Sequence, residues 1–522
     1  MANFVFPNLN IGETLHRPRI LHIGVSRFLL GSLAAIYQQL DAYTIGVQLR
    51  PTPDQDQVAK LIKDTALELP GYEAIEVSPN GNRTSIRLGL SEVISTRLRN
   101  PNGSEAGIIS RANISAISDR LSDPRLNLTS VSVTAEAYSL TSPEEDARRK
   151  ADIVNPEFPE CVLGVFIQGL LARQLKIQFQ IDNPISSRTA SVDNRVPLFD
   201  VDEKFIIMPF DNVSQNGVKL KALFLEHIDH LIAQYNALAS ESPEESITSR
   251  HLRDANTYVV FKQWFTNNVV IPNTVIDKIV PSREDLETGT VVTSEAAPEN
   301  VLTIEADAKS NSTLMQLAKV DGVKLVEDIT PHEKKKLRLL NAAHFALAIL
   351  ADERNLKTTD VPYKTVIEAI NDPDIYARVR EFVEFNSLSF TLDPDQSIDR
   401  AIKMQFIDEL FVRLKNPGID DTLGRLLQGD VFLKARQRIV EPIAEFRISG
   451  RQHTNGPSEI LSPGERMLCS WKAYVDRQTG IDVAARIKDT FTDHTLTVLE
   501  SVLTRNQRGL IGVGAQTSGK TR

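Results

Sequence analysis

The sequence predicts an α/β domain followed by a mainly α-helical domain. Short apolar runs alternate with helical segments in the first half, and helical periodicity dominates the second half. A polar, irregular stretch at residues 282–321 separates the two patterns. We therefore expect one domain at residues 1–300 and another at residues 301–505. Residues 506–522 are rich in glycine and polar side chains and predict a loose tail.

Composition narrows the class of protein. The chain has 522 residues with 41% hydrophobic content, which is enough for two or three cores. Its net charge of −9 argues against a nucleic-acid partner. Cys161 and Cys469 are too few for a disulfide framework, so we expect a reducing, cytoplasmic location and no metal site. The sequence contains no uncharged apolar run of about 18 residues, so we expect no membrane span.

The first apolar run predicts a nucleotide-binding unit. Residues 19–25 (RILHIGV) indicate a buried strand and residues 29–40 a helix, which is the first βα unit of a Rossmann-like domain. Gly24 would form the tight turn, with Ser26, Arg27 and Phe28 beside the cofactor phosphates. The spacing departs from G-x-G-x-x-G, so a strand–turn–helix without a nucleotide stays open.

A second candidate site lies on the helix predicted for residues 330–350. Its start has the features of a capped helix: Thr330 as N-cap, Pro331 at the first position and Glu333 closing a capping box. From residue 339 onward the segment is almost wholly apolar, so we expect burial on most sides.

Three polar residues mark one side of this helix. In a regular helix Lys336, His344 and Asn341 project at about 0°, 80° and 140° and can face one cavity. A buried amide and imidazole need hydrogen bonds. The helix therefore carries either a structural polar network or part of an active site, and its geometry does not choose among Lys334, Lys335 and Lys336.

Other candidates follow strand ends or lie on helices. Asp211 and Asn212 follow the strand predicted at residues 204–210, where ligands bind in open parallel sheets, although turn chemistry is the alternative. Taken by itself, Asp277 is expected to be a surface residue that pairs with Lys278. Arg425 and Lys434 lie in the second half of the chain. Taken by themselves, they are expected to be solvated charges on helices.

Residues 327–350 (EDITPHEKKKLRLLNAAHFALAIL) resemble the catalytic helix of the polyol-specific long-chain dehydrogenases, the mannitol dehydrogenase family. The motif of that family is a lysine, four residues, an asparagine, two residues and a histidine. The segments PFDNVSQNG, VVIPNTVIDKIVP and KNPGIDDTLGRLLQGDVFLK are similar to further motifs of the family, in the same order.

The resemblance implies an NAD(P)-dependent oxidoreductase that interconverts a polyol and a keto sugar without a metal. Lys336 would be the general base, Asn341 and Asn212 would hold the substrate oxygen, and His344 would complete the catalytic set. The substrate-binding residues would be Asp277, Arg425 and Lys434.

The cofactor stays open between NAD and NADP. The family has an acidic residue after the second strand, predicted here at residues 44–49, and Asp54 is the nearest candidate. Arg50 lies close by and would attract a 2′-phosphate, which an acidic residue repels. Asp54 as a simple turn residue is the alternative. We expect a monomer or a small homo-oligomer.

Three alternatives remain at this stage. A uronate reductase (fructuronate- or tagaturonate-like) shares the helix motif and would need an additional anion-binding residue. Oxidation of a sugar phosphate would need a basic cluster in the helical half. A non-catalytic nucleotide-binding descendant is favoured by the altered glycine loop and opposed by the polar set on the buried helix.

Overall fold

The structure, a computed structural model, describes most of the chain in separate stretches. The predicted cofactor residues Ser26, Arg27, Phe28, Arg50 and Asp54 lie outside them. The described residues are 18–25, 29–48, 71–95, 97–99, 105–109, 111–132, 143–183, 199–241, 254–280, 290–296, 301–306, 311–357, 362–419, 421–448 and 461–517.

The strands lie in the first two thirds of the chain. They are β1 (Arg19–Ile23), β2 (Tyr43–Gln48), β3 (Gly71–Val77), β4 (Arg83–Gly89), β5 (Glu92–Ser95), β6 (Arg97–Arg99), β7 (Glu105–Ile109), β8 (Leu126–Val131), β9 (Phe205–Pro209), β10 (Val269–Val270), β11 (Thr274–Ile276), β12 (Thr290–Glu295), β13 (Leu302–Glu305) and β14 (Val323–Val326).

The helices dominate the last third. They are α1 (Ala34–Gln39), α2 (Arg111–Leu121), α3 (Pro143–Val154), α4 (Val162–Asp182), α5 (Asn216–Glu241), α6 (Ala255–Asn268), α7 (Ser312–Leu317), α8 (Thr330–Lys335), α9 (Asn341–Asn355), α10 (Val366–Ile370), α11 (Pro373–Ser387), α12 (Gln396–Leu414), α13 (Leu423–Leu426), α14 (Val431–Ala435), α15 (Glu441–Ile448), α16 (Pro463–Asp476), α17 (Val483–Thr490) and α18 (Asp493–Thr517). Short π-helices precede α1, α9 and α15, at Leu29–Leu33, Lys336–Leu340 and Arg436–Val440.

A six-stranded parallel sheet forms the centre of the first half, in the order β10-β9-β8-β1-β2-β5. Its strands are buried on both faces. In β9, Phe205 and Ile207 pack among α2, α4, α5 and α6, whereas Ile206 and Met208 pack toward α1 and α7. Because both faces are covered, such strands read as continuous apolar runs, and this confirms the predicted Rossmann-like domain.

The segment predicted as irregular, residues 282–321, contains regular structure. Within it β12 pairs with β3, which also forms an antiparallel pair with β4, and β13 joins β11 and β14 in a three-stranded sheet. The prediction of an irregular segment was wrong because these strands are short and polar in composition. Val292, Leu302 and Ile304 are nevertheless fully buried, which fixes their pairing.

The helix α4 is continuous from Val162 to Asp182. The last helix continues to Thr517, so the first residues of the segment expected as a loose tail are helical. The strands β13 and β14 lie inside the range predicted as helical, and the helices that follow share one core built around Leu347 and Trp471. The described helices include none with the length and apolar content that crossing a bilayer requires.

Candidate active site

The helix at residues 330–355 is continuous but not regular. Its α-helical turns are interrupted by the π-helix that begins at Lys336 and ends immediately before Asn341. One π turn holds an extra residue, which changes the angle between the side chains on either side of it. The angle of about 140° expected between Lys336 and Asn341 from a regular helix therefore does not apply.

The predicted capping box is absent at the start of this helix. The N-cap position is Ile329, without a side-chain cap, and Asp328 accepts the Thr330 N–H instead. Glu333 accepts hydrogen bonds from Ser214 Oγ at 2.6 Å and from the Gln215 N–H at 2.7 Å. Its carboxylate therefore binds the loop that follows β9 and not the start of its own helix.

This contact brings three of the predicted catalytic residues together. Lys336 and Asn212 line one pocket with Thr274, and Asn341 Nδ2 donates to Asn212 Oδ1 at 3.2 Å. Lys336 and Asn341 come from the helix, and Asn212 from the carboxyl end of β9. The pocket thus lies at the edge of the parallel sheet where ligands bind in this fold. The remaining lining residues are Asp211, Val213, Ser214, Val275, Glu333 and Leu337.

Lys336 has the electrostatic setting of a base. Part of the residue lines the pocket, but protein atoms surround its ammonium group, and this burial lowers the pKa to about 8. Asp277 opposes the shift, while the positive charges of Arg438 and Arg413 add to it. The neighbouring Lys334 and Lys335 are engaged elsewhere: Lys334 pairs with Glu445 and Lys335 lies over the Phe406 ring.

His344 lies one turn further along, among charged groups of the helical half. Its Nδ1 is 3.1 Å from the Leu340 carbonyl oxygen, and burial lowers its pKa to about 4 despite the nearby Asp421 carboxylate. The imidazole is therefore neutral at physiological pH. Arg425, a predicted substrate residue, forms an ion pair with Asp421 through Nε at 2.7 Å. Arg425 is therefore anchored, although more than a third of its side chain is exposed.

Lys434 is held by backbone carbonyl groups. Its Nζ donates to the carbonyl oxygen of Leu426 at 3.0 Å and to that of Gln428. Burial lowers the pKa of Lys434 to about 8, and the positive charges of Arg438 and Arg425 add to this effect. These three cations therefore form one basic cluster.

Asp277 lies in a buried ion cluster and not on the surface. It accepts from Arg413 Nη2 at 2.7 Å, and Arg413 also pairs with Glu295 through Nε at 2.9 Å. The alternative in which Asp277 pairs with Lys278 is wrong, because Lys278 Nζ contacts Glu76 at 2.5 Å. Burial alone would lower the pKa of Arg413, but the two carboxylates raise it above its usual value. Sequence reasoning missed Arg413.

Asn216 and Asn273 position the loop that carries Asn212. The fully buried Asn216 donates to the Thr274 carbonyl oxygen at 3.0 Å and accepts the Thr274 N–H at 3.0 Å. Asn273 Oδ1 accepts the Gly217 N–H at 2.9 Å, at the start of α5. The signal was available, since both residues lie inside segments quoted for the family resemblance.

Arg438 is a second missed residue. It lies in the π-helix that precedes α15, and its Nη1 donates to the Asn341 carbonyl oxygen at 3.3 Å. Burial lowers its pKa to about 10. Nothing in the surrounding sequence distinguishes it from the neighbouring Arg436, because both lie on one charged helical segment.

The turn after β1 requires glycine at position 24. Gly24 has φ +107°, and a Cβ atom there would lie 2.4 Å from the Ser132 carbonyl oxygen. Beneath the turn, the buried His22 contacts Ser130 Oγ at 2.7 Å through Nδ1 and the Gly24 carbonyl oxygen at 3.1 Å through Nε2. Only glycine fits this position.

Fold and site together define an α/β protein with a Rossmann-like sheet, a mainly helical second half and a lysine–asparagine pocket. Residues 328–502 match the family described as the mannitol dehydrogenase C-terminal domain. Over these residues the chain is similar to the mannitol dehydrogenase family.

Curated relatives agree with this assignment. A polyol:NADP oxidoreductase of Gluconobacter oxydans is 23% identical over 385 residues, which cover 70% of this chain and 64% of that protein. A mannitol-1-phosphate 5-dehydrogenase of Caldanaerobacter subterraneus is 28% identical over 218 residues, covering 41% of this chain and 50% of that protein. The matches thus span between half and two thirds of these relatives.

Two solved structures share the fold. The mannitol 2-dehydrogenase of Pseudomonas fluorescens, in a ternary complex with NAD and D-mannitol, superposes with a TM-score of 0.60 at 19% identity, covering 92% of this chain and 82% of that one. A substrate-free D-sorbitol dehydrogenase gives 0.58 at 20% identity, covering 88% and 80%.

Proposed function

We propose that the chain is an NAD(P)-dependent oxidoreductase that interconverts a polyol and a keto sugar. The observation that carries this proposal is the pocket shared by Lys336 and Asn212, with Asn341 bonded to Asn212 at 3.2 Å. A lysine whose pKa is about 8 is partly unprotonated near neutral pH, so it can accept the proton of a substrate hydroxyl. This property supports the assignment of Lys336 as the base.

The turn at Gly24 supports a dinucleotide cofactor. Its positive φ and the absence of room for a Cβ atom allow backbone to approach a pyrophosphate closely. A nicotinamide cofactor, when bound, supplies hydride transfer. Gly24 would hold its phosphates, together with residues of the following loop. The NAD complex of the Pseudomonas protein and the NADP in the name of the Gluconobacter relative support either cofactor.

The chain's own residues divide the remaining work. Lys336 takes the proton from the reacting hydroxyl during oxidation and returns it during reduction. Asn212 and Asn341 hold the substrate oxygen as negative charge develops on it. The neutral His344 orients the substrate, and hydroxyl groups further along it would contact Asp277 and Arg425.

A second candidate function is oxidation of a substrate that carries an anionic group, either a sugar phosphate or a sugar acid. The basic cluster of Arg425, Lys434 and Arg438 favours this candidate, because Lys434 lies within the field of both arginines. Planar guanidinium groups bind phosphate and carboxylate in a bidentate manner. The mannitol-1-phosphate 5-dehydrogenases among the relatives agree with it.

An absorbance screen for reduced nicotinamide separates these functions. The panel contains hexitols, pentitols, hexitol phosphates and uronates, each tested with both cofactors. Turnover of neutral polyols supports the first proposal, and a preference for phosphates or uronates supports the second. Titration of the protein with each cofactor tests the remaining alternative, because a non-catalytic nucleotide-binding descendant would bind the cofactor without turning over any substrate. A chain with no nicotinamide affinity would contradict every oxidoreductase function.

A further inference from the structure

Three buried side chains meet on the helical face of the parallel sheet, outside the pocket described above. Asp152 lies in α3, Cys161 immediately precedes α4, and His227 lies in α5. One ligand-type atom of each, a carboxylate oxygen, the thiol sulfur and a ring nitrogen, lies within 4.8 Å of the other two. We propose that Asp152, Cys161 and His227 form a metal site of the kind that Zn²⁺ occupies.

His227 is the strongest indication of a ligand. The residue is 1% exposed, and among the described residues Nδ1 of its ring has no hydrogen-bond partner. A buried nitrogen without a partner costs free energy, because it has lost its water and gained nothing in exchange. A bound metal ion would supply the missing partner, since neutral imidazole is a common metal ligand in proteins.

Asp152 is already held in position by the backbone. Its Oδ1 accepts the Glu160 N–H at 2.6 Å and its Oδ2 the Cys161 N–H at 2.9 Å. Hydrogen bonds of this type orient the carboxylate ligands of metal sites. A Cβ atom at Gly164 would lie 2.4 Å from Asp152 Oδ2, so the start of α4 approaches the carboxylate as closely as only glycine allows.

Charge balance also favours a dication. The Cys161 thiol and the Asp152 carboxyl lie close together, and both side chains are buried. Burying both groups as anions is unfavourable without a positive charge between them. The nearby cation Arg149 is paired with Glu226 at 3.1 Å. A Zn²⁺ ion would neutralise the thiolate and the carboxylate together.

The spacing of the three atoms sets how a zinc ion would be coordinated. A tetrahedral zinc ion with bonds of about 2.0–2.3 Å separates its ligand atoms by about 3.3–3.8 Å. The three atoms need to move inward by about 1 Å or less to reach this spacing, and water would take the fourth position. The site joins α3, α4 and α5, so a bound ion would link these three helices, and the site is independent of the function proposed for the pocket.

Cobalt substitution tests the site on the intact chain. Co²⁺ bound to a thiolate gives a sulfur-to-metal charge-transfer band, and the chain has two cysteines, Cys161 and Cys469. Cys469 lies in α16 and is partly exposed, so the variant Cys469→Ser is a matched control in which any such band must come from Cys161. We expect one metal ion per chain, by elemental analysis, in the wild type and in Cys469→Ser.

The ligand variants complete the test. In Cys161→Ser the charge-transfer band disappears, and in His227→Gln the metal content falls by at least tenfold. Zn²⁺ should raise Tm of the wild type in proportion to the logarithm of its concentration and leave the Tm of both variants unchanged. The site is overturned if the folded wild type gives no band, no bound metal and no Tm shift. It is also overturned if Cys469→Ser loses the band, a result that does not depend on the folding of the ligand variants.

Discussion

Asn341 donates a hydrogen bond to Asn212 across 129 positions of sequence, with 3.2 Å between Nδ2 and Oδ1. One amide belongs to the helix of Lys336 and the other to the loop after β9. The bond therefore aligns the proposed base with the edge of the nucleotide-binding sheet. Glu333 reinforces the alignment, because it bonds to Ser214 and Gln215 of the same loop.

Removing either amide should slow the reaction more than it weakens substrate binding. We expect Asn212→Ala and Asn341→Ala each to lower kcat by roughly 10²–10³-fold, the usual effect of losing one donor to a developing oxyanion. The double variant should lose much less than the product of the two, because the amides act as a pair. Steady-state kinetics measure both effects. Asn183→Ala is the control, since its exposed amide bonds to the Phe179 carbonyl oxygen of its own helix.

The pH dependence should report the pKa of Lys336, which is about 8. Below that pH the amine is protonated and cannot accept a proton, so kcat/KM for alcohol oxidation should rise about tenfold per pH unit and level off above pH 8. The reverse reaction needs the protonated amine and should slow above pH 8. His344 has a pKa of about 4 and adds no inflection near neutrality. A flat profile for oxidation through the neutral range would exclude Lys336 as the base.

A charge variant tests whether Lys336 sets the midpoint of the pH profile for oxidation. Arg438 lowers the pKa of Lys336 through its positive charge, so Arg438→Met should move the midpoint to higher pH. A midpoint that stays at the same pH, or that moves downward, would show that another group controls the profile.

Gly24→Ala should weaken binding of the nicotinamide cofactor. The new Cβ would lie 2.4 Å from the Ser132 carbonyl oxygen at a φ of +107°, so the turn must move. Strain of about 1–3 kcal/mol corresponds to roughly a tenfold or greater rise in Kd if the native turn is needed for binding. Fluorescence titration with the reduced cofactor measures it. Gly480→Ala is the matched control. It also places a Cβ at a residue with positive φ, but no heavy atom lies within 4 Å of that Cβ, so Kd should stay unchanged.

Arg413→Met should destabilise the protein strongly. It leaves Asp277 and Glu295 buried without their cation, and losing one partner of a buried ion pair costs about 3–5 kcal/mol. Burial already raises the pKa of Glu295. A raised folded-state pKa stabilises at low pH and loses that stability as pH rises, so the deficit should grow from acid to neutral pH.

Thermal unfolding at two pH values measures this deficit. Arg380→Met, at a partly exposed pair with Glu384 and Asp408, is the control and should cost about 1 kcal/mol or less. Equal losses in the two variants would contradict the importance assigned to the buried cluster.

The parts of the fold that were predictable depend on local pattern. Strands such as β1 and β9 are buried on both faces and therefore give continuous apolar runs in the sequence. The helix of Lys336 is also buried on most sides, so it too gives a recognisable apolar run. The strands β12 and β13 were missed because each has only four to six residues, several of them polar, which is too short for a periodic pattern to show.

Site residues were predictable only where a motif marks them. Lys336, Asn341 and Asn212 follow from the family resemblance, and two of them share a pocket. The role of Glu333 was wrong, since its local spacing fits a capping box while its real partners lie 118 and 119 positions away. Arg413 and the trio of Asp152, Cys161 and His227 depend on contacts between distant helices, which no local spacing encodes.

The most direct test is the turnover of Lys336→Ala with its cofactor affinity measured on the same sample. Loss of the general base should lower kcat by roughly 10²–10⁴-fold while the Kd of the nicotinamide cofactor stays nearly constant. Lys357→Ala, which removes an exposed lysine paired with Glu353 just beyond the end of the same helix, should behave as the wild type. A Lys336→Ala enzyme that oxidises its polyol at the wild-type rate would contradict the assignment of Lys336 as the base.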